Sequence, residues 1–234
     1  MLGLELRGVV WSAGAHFGLS HDPVQVRRGT AAAVLAPADV ATELADALTG
    51  LSRLVAGDIA ADGVVITGTL PAPHRIALVP VGGGLLPHLS VTRNIELNLR
   101  RVSSRDARAG QVRDLARQFE LDGALRLRPQ RLSAEQRLRV AFARALAGQP
   151  AAVVVEDRAG QIDCGSTVRA VTAQNVAVLV LTDALARARH LSSRVYAARP
   201  AHRPDRPEPG RPGPDRPGPD RPGPDRPEEV RDAR

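Results

Sequence analysis

The chain has 234 residues, 43% of them hydrophobic and 2% aromatic, with a single cysteine. That is enough for one good-sized domain with its own core, and it excludes an internal disulfide and an aromatic platform for stacking single-stranded nucleic acid. The net charge is +7, but all 32 basic residues are arginine. With the Ala, Gly and Pro richness this reads as compositional bias rather than a binding surface, so nucleic acid is not an expected partner.

No apolar run is long enough to span a bilayer. The opening MLGLELRGVV lacks the charged start and long apolar stretch of a signal peptide. Residues 2–10 alternate apolar and polar and then turn apolar, which predicts a strand. Val24-Gln25-Val26 followed by Arg28-Gly29 predicts a second strand and its turn. Residues 31–35 read as a buried strand and residues 40–48 as a helix with an intact apolar face. In residues 50–69, Asp62-Gly63 lies between two strand-like runs, a strong hairpin signal. Residues 75–81 predict another strand. Gly82-Gly83-Gly84 predicts a flexible connector, because neither a helix start nor a lysine follows it.

Residues 104–121 predict an amphipathic helix, with Val112, Leu115, Ala116 and Phe119 on one face and arginines on the other. Residues 175–181 predict the last buried strand, 184–191 a helix and 194–196 a short strand. Cys164 belongs to no motif and reads as a bystander. From Arg199 the composition changes abruptly, and Arg-Pro-Gly-Pro-Asp occurs three times in tandem over residues 211–225. Such a segment builds no core and predicts a disordered tail with extended polyproline character.

The stretch that organises the chain is residues 132–163, LSAEQRLRVAFARALAGQPAAVVVEDRAGQID. Ser133 and Gln136 have the spacing of a capping box. Leu138, Phe142, Ala145 and Leu146 recur at helical spacing, and Gly148-Gln149-Pro150 ends the helix. Residues 151–155 predict a strand buried on both faces, with Glu156 and Asp157 at its C-terminal end, where open parallel α/β sheets bind ligands. This stretch resembles the nucleotide-binding subunit of ABC transporters, in which an LSGGQ signature opens a helix of the form QRxRVAxARAL and an Asp-Glu strand end follows. Leu132, Ser133, Gln136, Arg137, Arg139, Val140, Ala141, Ala143, Arg144, Ala145 and Leu146 match. Ala134 and Glu135 replace the signature glycines, and the acidic pair is inverted.

The resemblance extends along the chain and implies roles for further residues. Segment 36–43 (APADVATE) stands where the family has its Gly-rich phosphate loop, so Pro37, Ala41, Thr42 and Glu43 occupy phosphate-loop positions. No glycine and no lysine is present, and Asp39 and Glu43 bring negative charge. Thr42 is the implied magnesium hydroxyl. Glu156 is the implied magnesium carboxylate and Asp157 the carboxylate that orients water. Val81 takes the Q-loop position, Leu132, Ser133, Ala134, Glu135 and Gln136 the signature, Asp163 the D-loop and Thr182 the switch histidine's position. Trp11 is either an adenine platform or ordinary edge packing. Residues 85–95 (LLPHLSVTRNI), His88 among them, resemble the surface that faces the membrane subunit.

The expected fold is α/β, a P-loop NTPase-like ABC nucleotide-binding domain over residues 1–198. It has a mainly parallel central sheet, an N-terminal antiparallel β part and a helical signature subdomain over about 86–140, with the tail over 199–234. The expected function is that of a degenerate ATP-binding subunit beneath a membrane permease, with ATP and Mg binding weak or lost. It would pair with itself or with another nucleotide-binding subunit at the inner face of the cell membrane. The alternatives are an ATP-hydrolysing subunit with an unconventional site and a soluble regulatory or nucleic-acid-binding protein that reuses the fold.

Overall fold

The computed structural model describes residues 1–67, 75–99, 104–158 and 164–201. The repeat tail, Asp163 and the end of the 50–69 segment lie outside the described residues. Among the described residues ten strands form one sheet: β1 (Leu2–Ala13), β2 (Ala15–Leu19), β3 (Val24–Arg27), β4 (Ala31–Leu35), β5 (Ala56–Ala61), β6 (Val64–Val65), β7 (Ile76–Val79), β8 (Ala152–Asp157), β9 (Ala177–Thr182) and β10 (Val195–Pro200). Their order is β6-β5-β1-β2-β10-β4-β9-β8-β7, with β3 against β1. The five strands from β10 to β7 are parallel. The N-terminal strands pair antiparallel, as the sequence predicts.

Strand alternation explains why the parallel part is apolar on both faces. Val153, Val155, Val178 and Val180 point into one core, shared with Phe142, Ile95 and Val112. Val154, Leu179 and Leu181 point into the other, shared with Leu4, Leu6, Val24 and the buried face of helix α1 (Ala38–Thr49). That helix is therefore covered by strands on two sides. The first core is covered by α2 (Val91–Glu96), α3 (Arg105–Gln118), α4 (Ala134–Ala147), α5 (Gly165–Thr172) and α6 (Leu185–Leu191). Register places Leu35 beside Thr182 and Thr182 beside Asp157, so the ends of β4, β9 and β8 lie level at one edge of the sheet.

The antiparallel part is bent where β1 and β5 slip register between Arg7 and Val10. Gly57 makes this possible: its φ is 86°, and a Cβ there would lie 2.3 Å from the Gly8 carbonyl oxygen, so a side chain does not fit.

Several elements depart from the sequence expectation, and β10 runs on to Pro200, into the first residues of the predicted tail. β2, α2 and α5 are present without having been predicted. The three glycines after β7 are not a loose connector. Val81–Gly83 form a 3-10 turn, and Gly82, Gly83 and Gly84 all take positive φ. Arg144 of α4 holds the turn, donating 2.8 Å and 2.7 Å hydrogen bonds to the carbonyls of Gly83 and Gly84. Burial lowers the pKa of this guanidinium from its ordinary value. Gly83 packs against α4, where a Cβ would meet the Ala141 side chain at 3.1 Å.

Candidate functional site

The level strand ends define the site. Between β4 and α1 the chain turns in two residues, Ala36 and Pro37. Ala36 is buried, and its N–H donates to the Thr182 carbonyl at 3.0 Å, extending the β4–β9 ladder. Pro37 is the N-cap of α1, makes no side-chain cap, and accepts the first helical bond from Ala41 N at 2.9 Å. Ala41 is buried, and Asp39 puts a carboxylate in the first turn. A nucleotide's phosphates need a loop of several exposed N–H groups curled around them. Here the helix begins at once, the first N–H is taken by β9, a methyl group fills the turn and the local charge is negative. These residues do not fit a phosphate group.

The β8 end divides its two acids. Consecutive strand residues face opposite ways, so Glu156 points to the α1 side and Asp157 to the α5/α6 side. Thr42 donates its hydroxyl hydrogen to Glu156 Oε1 at 2.7 Å, and Val81 N donates to Oε2 at 3.3 Å. The structure thus brings together three positions that the sequence placed in one site: Thr42, Glu156 and Val81. Oxygen donors of this kind suit a hard cation. However, the Arg158 guanidinium already donates to Thr42 Oγ1 at 3.1 Å. Among the described residues no group of three or more His, Cys, Asp or Glu side chains is placed to hold a metal.

Asp157 is 4% exposed. It accepts from Arg187 Nε at 2.6 Å through Oδ2 and from Arg187 Nη2 through Oδ1. Thr182, at the switch position, is buried and places its hydroxyl 3.4 Å from Oδ2; Cys164 Sγ lies 3.6 Å from Oδ1. Cys164 therefore packs against the acid rather than standing apart from it. No local pattern distinguishes Arg187 from Arg189 in ALARARHL, and only the fold reveals it as the partner of Asp157.

The signature positions open α4. Leu132 is buried, Ser133, Ala134 and Glu135 are exposed and Gln136 is half-buried. The predicted capping box is complete: Gln136 N donates to Ser133 Oγ at 3.1 Å, and Ser133 N donates to Gln136 Oε1 at 2.9 Å. Glu135 is paired with Arg139 at 2.7 Å, and Arg139 also holds Glu120 at 2.5 Å. Partial desolvation pulls the Arg139 guanidinium down, but the hydrogen bonds to Glu120 and Glu135 outweigh it, and its pKa is raised. Ser133→Ala is expected to cost about 1 kcal/mol in a denaturant melt, the usual value of one N-cap.

Trp11 is buried and donates its indole N–H to the Val40 carbonyl at 3.0 Å. Of the two readings of this residue, packing is the one the structure supports. Glu43 is half-buried on α1 and does not take part in the Glu156 contacts.

The sequence profile of the family described as ABC transporter matches residues 41–157, half of the chain. The chain belongs to the ABC transporter family. Similar curated family members include the sn-glycerol-3-phosphate import ATP-binding protein UgpC of Escherichia coli O1:K1 / APEC, 37% identical over 115 residues, and UgpC of Salmonella typhi, 38% identical over 115 residues. Each alignment spans 49% of this chain and only 32% of the relative.

Among solved structures, the dimeric ATP-binding cassette MJ0796 in a post-hydrolysis state with ADP and Pi superimposes with a TM-score of 0.64 at 20% identity, covering 82% of this chain and 92% of the cassette. The structure of cbiO1 from Clostridium perfringens, part of the ABC transporter complex cbiONQ, gives a TM-score of 0.63 at 17% identity, covering 77% and 78%. At these identities the likeness is one of fold, and the fold is that of an ABC nucleotide-binding cassette.

Proposed function

We propose that this chain is an ABC transporter ATP-binding subunit whose own nucleotide site is degenerate, and that it contributes dimer structure and permease docking rather than hydrolysis. The observation that carries this reading is the pair of acids at the β8 end. Glu156 is engaged with Thr42, Val81 and, through Thr42, with Arg158; Asp157 is closed by Arg187. The two-residue β4–α1 turn supports it, and the family match begins at Ala41, beyond that turn. ATP and Mg are thus bound weakly or not at all by Pro37, Ala41, Thr42, Glu43 and Glu156.

The partners follow from the relatives. The cassette MJ0796 is dimeric and cbiO1 is part of a transporter complex, so a homodimer or a heterodimer with another nucleotide-binding subunit is proposed, docked on a membrane permease. Among the described residues no helix is long and apolar enough to cross a membrane. Attachment at the inner face of the membrane is proposed to run through the permease contact. The surface proposed for it is the 85–95 segment, where Leu86, Pro87 and His88 are exposed. Signature residues Ser133 and Glu135, exposed at the start of α4, are assigned to the dimer face.

Thermal melts with and without Mg–ATP test the reading. A site of micromolar affinity at millimolar ATP would add about 4 kcal/mol of stability. The expected result is a Tm unchanged within about 1 °C, with no phosphate release. One observation favours a second reading, an energising subunit with an unconventional site: the Thr42 hydroxyl and the Glu156 carboxylate, two oxygen donors, lie 2.7 Å apart. A magnesium-dependent rise in Tm would favour that reading over the first.

A further inference from the structure

Asp157 is the one buried carboxylate among the described residues, and its bonds run to the chain itself. Arg187 meets it with Nε on one oxygen and Nη2 on the other, the two-pronged geometry that makes guanidinium–carboxylate pairs strong and directional. The Thr182 hydroxyl and the Cys164 thiol lie against the same two oxygens. A carboxylate that takes a proton from water must present a lone pair to that water. This one is covered on both oxygens.

The other end of the pair is equally informative. Helix α6 has seven residues and no side-chain N-cap at Ala184. A helix that short does not hold itself. Its attachments include the buried Ala188 and Leu191, the C-cap Ser192 hydroxyl bonded to the Ala31 carbonyl, and the Arg187 clasp, while Arg189, on the same helix, is exposed.

We propose that the Asp157–Arg187 pair is a permanent clasp. It fixes α6 and the strand end before it in one arrangement, so that the segment 182–191 does not respond to whatever occupies the neighbouring site. The carboxylate at the family's acid-pair position has become a structural counter-ion. This stands on the geometry of Asp157 and holds whether or not the site takes nucleotide.

The test is a double-mutant cycle on the full chain: Asp157→Asn, Arg187→Met and the two together, read by thermal melts and by amide hydrogen exchange. Arg187→Met leaves the buried Asp157 carboxylate without its guanidinium and should lower Tm by about 8 °C or more, and Asp157→Asn, which leaves the half-buried Arg187 facing a neutral amide, should lower it less. The double variant should be no less stable than the worse single, since the two side chains act as one unit. Exchange of the amides in 185–191 should rise more than about tenfold in either single variant, while β4 amides keep their protection. Arg187→Lys, which keeps the charge and loses the two-pronged geometry, should fall between wild type and Arg187→Met; it carries the measurement if the methionine variant does not fold.

Additive losses in the cycle, or unchanged exchange in α6, would overturn the clasp. So would a change in exchange over 182–191 when millimolar Mg–ATP is added to the wild type. If instead Mg–ATP raises Tm while exchange over 182–191 stays fixed, the degenerate-site reading falls and the clasp stands.

Discussion

Trp11→Ala is expected to lower stability by about 3–5 kcal/mol, enough to make a cassette of this size marginal. The reason lies in where β1 runs. Trp11 is the largest fully buried side chain and sits in the core that β1 shares with α1. Its ring centroid lies 6.2 Å from that of Phe17 on β2, and its N–H ends on the Val40 carbonyl in the first turn of α1. Truncation leaves a cavity between the sheet and α1 and removes a bond that fixes the start of that helix. Trp11→Phe fills most of the volume and loses mainly the hydrogen bond, so about 1–2 kcal/mol is expected. Urea melts followed by circular dichroism give both values. Because Trp11 is the only tryptophan, fluorescence adds a second reading: a buried emission that ATP does not quench. A wild-type melt for the alanine variant, with quenching by nucleotide in the parent, would restore the adenine-platform reading.

What could be read from the sequence was local. The three valines before Glu156, the Ser133–Gln136 spacing and the Asp62-Gly63 turn each carry their structure in a few neighbouring residues, and each forms as predicted. Strand alternation alone implies that Glu156 and Asp157 part company, because consecutive residues cannot share a face. The partners they find were not legible. Thr42 and Arg187 lie 114 and 30 positions away, and nothing in ADVATE or ALARARHL marks those two residues as contacts. The same holds for Gly82–Gly84. Three glycines read as freedom until a guanidinium 60 positions from Gly84 fastens the carbonyls of Gly83 and Gly84. β2 is not legible in the sequence because its five residues, Ala15–Leu19, include His16 and Gly18 and give no strong alternation. Its existence depends on β1 and β10 standing on either side of it.

Asn94→Leu is the second large effect expected, about 2–4 kcal/mol, and it is of a different kind. Asn94 is 0% exposed on α2, yet it is there for its polarity. Its Oδ1 accepts from Leu86 N at 2.8 Å, and its Nδ2 is shared among the carbonyls of Leu86, Leu89 and Ser90 at 3.1–3.3 Å. One side chain thus ties down the whole 86–90 turn, the turn that presents exposed Leu86, Pro87 and His88. Leucine keeps the branching of asparagine but is larger and supplies none of the four bonds, so the loss combines unpaired backbone groups with overpacking at a fully buried position. Amide exchange should rise over 84–90 while the amides of β8 and β9 stay protected, because those strands draw on the other elements of the sheet. Binding to the proposed permease partner should fall with it, since an unlatched turn must be ordered again on docking. A variant that melts like the parent but no longer binds the proposed permease partner would separate the two effects and make Asn94 a contact residue rather than a brace. One that melts lower with exchange unchanged over 84–90 would place the loss outside the turn and remove the structural basis proposed for this docking surface.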